Sequence, residues 1–183
     1  MKGIVFTTFL ELVEEKWGLD MVDDIIEDSD LESGGVYTAV GTYDHVEAVK
    51  LVSSLSAKTG VEVTGLLTAF GEHLFGVLIG GHPEFLVGVE HPLDFLEGVE
   101  RYIHVEVRKL YPDAELPTFE CERKDDEHLV MVYSSGRHFE DLCEGLIKGA
   151  VSHFQREASI GRETLDDGRE RFSIQLQPSA QES

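Results

Sequence analysis

The apolar residues of this chain change their spacing once, and that change limits the fold more than any other feature. Up to Tyr111-Pro112 they recur at steps of three and four; from Thr118 they recur at steps of two, interrupted by a single helical segment. Helical side chains return to one face every ~3.6 residues and strand side chains alternate. The order is therefore helices first, then a small antiparallel sheet with one helix packed on it, an α+β layout. Val5, Phe9, Val13 and Trp17 predict a helix ending near Gly18. A short helix over Asp20 to Ile26 and a loop over Asp28 to Gly35 follow. Asp44 and Glu47 stand at capping-box spacing before a helix to about Lys58. A further helix spans Val61 to Ile79 and is broken by Gly80-Gly81-His82-Pro83. Pro92 opens the next, whose stripe is Leu93, Leu96, Val99, Ile103, Val107 and Leu110; Tyr111-Pro112 ends it. Phe119 to Arg123 and His128 to Ser135 read as paired strands, with Leu129, Met131, Tyr133 and Ser135 on one face. Phe139, Leu142, Cys143, Leu146, Ile147, Ala150 and Phe154 mark an amphipathic helix. A last hairpin turns at Asp166-Asp167-Gly168 and points Phe172, Ile174 and Leu176 inward.

At 183 residues this is one domain, large enough to bury a core or enclose a cofactor. It is expected over 1–178, a helical part of about 1–62 and an anchoring part of about 63–178, with 179–183 a frayed tail. Thirty-six acidic against fifteen basic residues give a net charge of −21, a field that repels nucleic acid and anionic membranes. The same charge suits docking on a basic protein surface, or simply a saline or crowded cytoplasm. No stretch reads as long and apolar enough to span a bilayer, and no signal peptide is visible. Two cysteines, Cys121 and Cys143, cannot make a disulfide framework or a four-cysteine zinc site, so a reducing cytoplasm is expected. No nucleophile elbow, phosphate loop or zinc-protease motif is present, and the chain is not expected to be an enzyme.

The chemistry-bearing stretch is Tyr133-Ser134-Ser135-Gly136-Arg137. Read as strand, it aligns Tyr133, Ser135 and Arg137 on one face. A phenol, a hydroxyl and a guanidinium fork suit an anion with two carboxylates; the same alternation also makes an ordinary solvated sheet face. Twenty-nine residues upstream of Tyr133, His104 sits on a predicted helix beside the apolar stripe. A ring nitrogen and a dicarboxylate clamp together suit heme, one for the iron and the other for the propionates. The chain has eight histidines, and most must be surface or structural groups.

With these residues in place, the whole chain resembles the H-NOX (heme-nitric oxide/oxygen binding) family, which also supplies the sensor part of soluble guanylate cyclases. The family's Y-x-S-x-R clamp matches Tyr133, Ser135 and Arg137. Its proximal histidine matches His104, and the proline that distorts the porphyrin matches Pro117, thirteen residues later. The resemblance implies ferrous heme b (protoporphyrin IX), held non-covalently with His104 as the iron ligand; no C-x-x-C-H motif for covalent attachment is present. Oxygen-binding members carry a distal tyrosine where this chain has Leu142, and their other distal polar positions match Phe9 and Leu66. The implied distal wall is Val5, Phe9, Leu66, Leu67, Phe70, Leu74, Leu142 and Leu146, all apolar. A buried donor stabilises the charge that oxygen acquires on ferrous iron, by about 1–3 kcal/mol, and nitric oxide needs none. The implied ligands are therefore NO and CO rather than oxygen. Some members hold a zinc near the chain's end; with no cysteine after Cys143, none is expected here.

The resemblance to stand-alone bacterial members further implies signalling to a separate protein, a histidine kinase or a cyclic-di-GMP enzyme. NO would break the iron–His104 bond, and the heme, no longer held in shape by Pro117 and Val5, would relax. An oxygen sensor on the same scaffold and a heme-free module for another small ligand are the alternatives.

Overall fold

The computed structural model describes residues 1–178; the tail expected to fray, 179–183, lies outside them. Among the described residues six helices come first: α1 (Gly3–Trp17), α2 (Leu19–Asp28), α3 (His45–Thr59), α4 (Val63–Gly81), α5 (Pro92–Gly98) and α6 (His104–Leu110). After them come β1 (Thr118–Asp125), β2 (His128–Ser134), α7 (Glu140–His153), β3 (Ala158–Thr164) and β4 (Glu170–Leu176). The four strands form one antiparallel sheet in the order β1-β2-β4-β3. Leu129, Met131 and Tyr133 of β2 and Phe172, Ile174 and Leu176 of β4 are buried together on its inner face, as their alternation predicts.

Local chemistry sets the helix ends. Asp44 caps α3 by accepting from the Val46 amide at 2.9 Å. Glu47 does not complete the expected capping box. It is buried and accepts instead from Tyr37 Oη at 2.6 Å and from the Ser33 amide at 3.1 Å. Its carboxylate thus ties the loop before α3 to the helix. Burial of Glu47 opposes ionisation, yet these donors hold its carboxyl below the usual range.

Two apolar clusters make the core. One gathers α1, α2, α3 and the first half of α4 with Phe139 and Leu142; the other gathers the end of α4, α5, α7 and the sheet. Helices α4 and α7 therefore serve both. They approach so closely because glycine faces glycine. A Cβ on Gly145 would meet the Thr68 carbonyl oxygen at 2.1 Å, and one on Gly71 the Leu142 carbonyl oxygen at 2.4 Å.

Three expectations need correction. An 18-residue window of α4 has a mean hydropathy of 1.4, so one helix among the described residues is long and apolar enough to cross a membrane. Its Leu66, Leu67, Phe70, Leu74, Phe75 and Ile79 are spent on the two clusters. The helix from Pro92 is not uniform either: Val99–Ile103 winds as a wider π-turn between α5 and α6. The extra residue shifts the stripe, so Leu110 is exposed. Finally, β2 ends at Ser134, so Ser135 and Arg137 do not share a strand face with Tyr133. They lie in the turn into α7, where His138 takes a φ of 55°.

Candidate cofactor site

The π-turn delivers His104 to the first position of α6, where its ring is buried. Its Nδ1 lies 3.0 Å from Glu100 Oε2, one turn back, and Glu100 Oε1 accepts from Arg108 at 3.3 Å. Nε2 makes no hydrogen bond among the described residues, so the imidazole presents one unpartnered nitrogen. Burial pushes the imidazole's pKa down, against the pull of Glu100; the neutral ring, with a lone pair free, is the favoured form. Phe119 of β1 lies 5.6 Å from the His104 ring, and Tyr133, directly opposite Phe119 across the strands, is 5.8 Å further on.

Tyr133 is buried at the end of β2, and burial raises its phenol's pKa. The Ser135 hydroxyl accepts from the Arg137 amide at 3.2 Å and so fixes the turn. The Arg137 guanidinium extends to Glu115, donating to its carbonyl oxygen at 2.9 Å and forming an ion pair with its carboxylate. That pair holds the Glu115 carboxyl below its usual range. Arg137, Lys2 and the Met1 ammonium line a cavity of about 260 Å³ together with the carboxylates of Asp44, Asp113 and Glu115, so its wall is a mixed set of opposite charges. The Met1 ammonium donates to the Tyr43 carbonyl at 2.7 Å. Lys2 Nζ donates to Thr42 Oγ1 at 2.9 Å and lies 3.4 Å from Asp113.

A second, much smaller cavity of about 10 Å³ shares Met1 with the first. That is about the least space a water-sized molecule needs. Its walls include Val5, Phe9, Leu67, Phe70 and Leu142, and every side chain lining it is apolar. Leu66, Leu74 and Leu146 pack in the same cluster without lining it. The nearby phenols of Tyr37 and Tyr43 are engaged elsewhere, by Glu47 and by the Thr38 amide at 2.9 Å. Pro117 is half-buried between α6 and β1, two residues past Glu115. Glu100, Glu115 and Met1 were not singled out from the sequence. Only Glu100 left a signal there, the i, i+4, i+8 spacing with His104 and Arg108.

The family model described as haem-NO-binding matches residues 2–162. The chain belongs to this family. Its fold is that of H-NOX proteins. An Fe(II) unliganded H-NOX protein from K. algicida is 44% identical, with all of both chains covered and a TM-score of 0.93. An H-NOX from Shewanella woodyi in the Fe(II)CO state is 41% identical, with 100% of this chain and 98% of that one covered and a TM-score of 0.84. An H-NOX protein from S. oneidensis in the Fe(II)NO state is 26% identical, with 97% of this chain and all of that one covered and a TM-score of 0.90. Soluble guanylate cyclase gcy-35 of Caenorhabditis elegans is 26% identical over 160 residues, 85% of this chain; the match spans 23% of that protein's length.

H-NOX proteins are heme-based gas sensors, and the residues present fit a heme. An unpartnered ring nitrogen on a buried imidazole suits ferrous iron. The Arg137 fork holds a carboxylate already, that of Glu115, so it accepts the chemistry of a propionate.

Proposed function

We propose that this H-NOX chain binds ferrous heme b through His104, takes up nitric oxide and carbon monoxide but not oxygen, and passes the signal to a separate protein. When bound, the heme supplies the iron at which a gas is held. Tyr133, Ser135 and Arg137 grip the propionates, with Arg137 exchanging Glu115 for them, and Pro117 presses on the ring. Val5, Phe9, Leu66, Leu67, Phe70, Leu74, Leu142 and Leu146 form the wall around the gas.

The observation that carries the selectivity is the wholly apolar lining of the small cavity. No side chain there donates a hydrogen bond; of the two neighbouring phenols, that of Tyr37 donates to Glu47, and neither lines the cavity. A donor to a charged acceptor contributes about 1.5–3 kcal/mol, so its absence penalises oxygen selectively. Exposing the reduced protein to air tests this. No stable oxy spectrum is expected, and a persistent one would make the protein an oxygen sensor.

Output follows from the connections of α6. The segment after it carries Tyr111, Asp113 and Glu115, which meet Lys2, Thr42 and Arg137. Letting go of His104 frees α6, and this segment passes the movement to α1 and the loop before α3. A histidine kinase or a cyclic-di-GMP enzyme in the cytoplasm is the receiver, docked through the acidic surface. The chain itself performs no catalysis, and nucleic acid and membranes are not its partners.

A further inference from the structure

We propose that Glu100 is a positioning residue that sets the strength of the iron–His104 bond, with Arg108 moderating it. The inference rests on the reading of His104 as the heme ligand. Glu100, His104 and Arg108 stand at i, i+4 and i+8 through the π-turn and α6. Glu100 Oε2 lies 3.0 Å from Nδ1, which assigns the ring proton to Nδ1 and leaves the Nε2 lone pair for the metal. A carboxylate accepting from the far nitrogen of a ligating histidine locks the ring's orientation. It also pushes electron density towards the metal-bound nitrogen.

The second oxygen of Glu100 accepts from Arg108 Nη2 at 3.3 Å. The guanidinium draws on the same carboxylate, so it weakens the carboxylate's pull on the imidazole. The Glu100 side chain is 28% exposed, so substitution there leaves no buried void. The Arg108 side chain is more exposed still. Opposing partners on one carboxylate form an adjustable support for the bond whose rupture would start the signal. A weaker support lowers the threshold at which nitric oxide detaches His104.

Resonance Raman spectroscopy of the ferrous, ligand-free holoprotein reads the iron–histidine stretch directly. E100Q is expected to lower that frequency, and E100A to lower it further. Both should move the heme reduction potential positive. R108A should raise the frequency in the wild-type background and leave it unchanged in E100Q. Detachment of His104 after nitric oxide is added should accelerate in E100A, by about 10- to 100-fold if the rate follows the loss of metal affinity that removing such a partner causes. E106Q removes an exposed carboxylate on the same helix that pairs with Lys109, and it should change none of these readouts. An unchanged stretch in both Glu100 variants, or an equal shift in E106Q, would overturn the proposal. Absence of any iron–histidine stretch in the wild type would instead overturn the heme reading itself.

Discussion

On the proposed function, Leu142 is the residue that leaves a bound gas without a hydrogen-bond donor. It lies on the first turn of α7, against α4, and lines the small cavity with Val5, Phe9 and Phe70. L142Y puts a phenol there with no partner other than a bound ligand. Oxygen affinity is expected to rise by about 10- to 100-fold, the equivalent of a hydrogen bond to a charged acceptor. An oxy spectrum in air, stable in L142Y and absent in the wild type, checks it. The apolar positions around Leu142 were legible in the sequence because helical spacing fixes their faces. The placing of Arg137 was not. Alternation put it on a strand, but β2 stops at Ser134, and a turn held by Ser135 redirects the guanidinium to Glu115. A strand end depends on what pairs with it, and single-chain periodicity does not contain that information.

Among the elements, the contact of α4 with α7 positions the apolar wall. Gly71 and Gly145 allow it, and the backbone on each side leaves no room for a methyl group. G145A is expected to cost about 3 kcal/mol, the upper range for overpacking, because the atom it meets is a carbonyl oxygen rather than a movable side-chain tip. Chemical denaturation of the variant measures the loss. The latch of Glu47 on Ser33 and Tyr37 makes a second prediction. The Glu47 carboxyl titrates lower folded than unfolded, so its contribution is complete above about pH 4.5 and is lost as pH falls through the folded value. E47Q should cost about 2 kcal/mol at neutral pH, as hydrogen bonds to a charged group are lost. It should also flatten the acid side of the stability profile; equal pH profiles for the two proteins would contradict the latch. The long helices α1, α4 and α7 were legible from their apolar period, and α3 from the cap at Asp44. The π-turn before His104 was not, since an inserted residue leaves the apolar spacing almost intact until Leu110. Nor was the role of Glu47, whose capping-box spacing pointed its side chain the wrong way.

Across the whole molecule, the middle of the chain is tied to its N-terminal region. The segment after α6 meets the N-terminal region through Asp113, which lies 3.4 Å from Lys2 Nζ and accepts from Thr42 at 2.6 Å. D113A severs that connection on the surface, away from the apolar cavity. Nitric oxide binding should keep its wild-type spectrum, while regulation of the partner by the gas falls by about tenfold or more, the upper part of the usual allosteric range. Unchanged regulation, measured in a partner-activity assay with and without NO, would place the signal's route elsewhere. The fold class and the order of helices and sheet were legible from spacing, whereas the candidate ligand rested on a family motif. The connections among Lys2, Asp113, Arg137 and Glu115 were not, because they join residues far apart in sequence through loops with no period. Whether His104 holds the cofactor's iron is read from the ferrous absorption spectrum of H104G, with and without added imidazole. The wild-type spectrum should be lost in the variant and restored by imidazole. A variant with the wild-type spectrum and no response to imidazole would contradict His104 as the iron ligand.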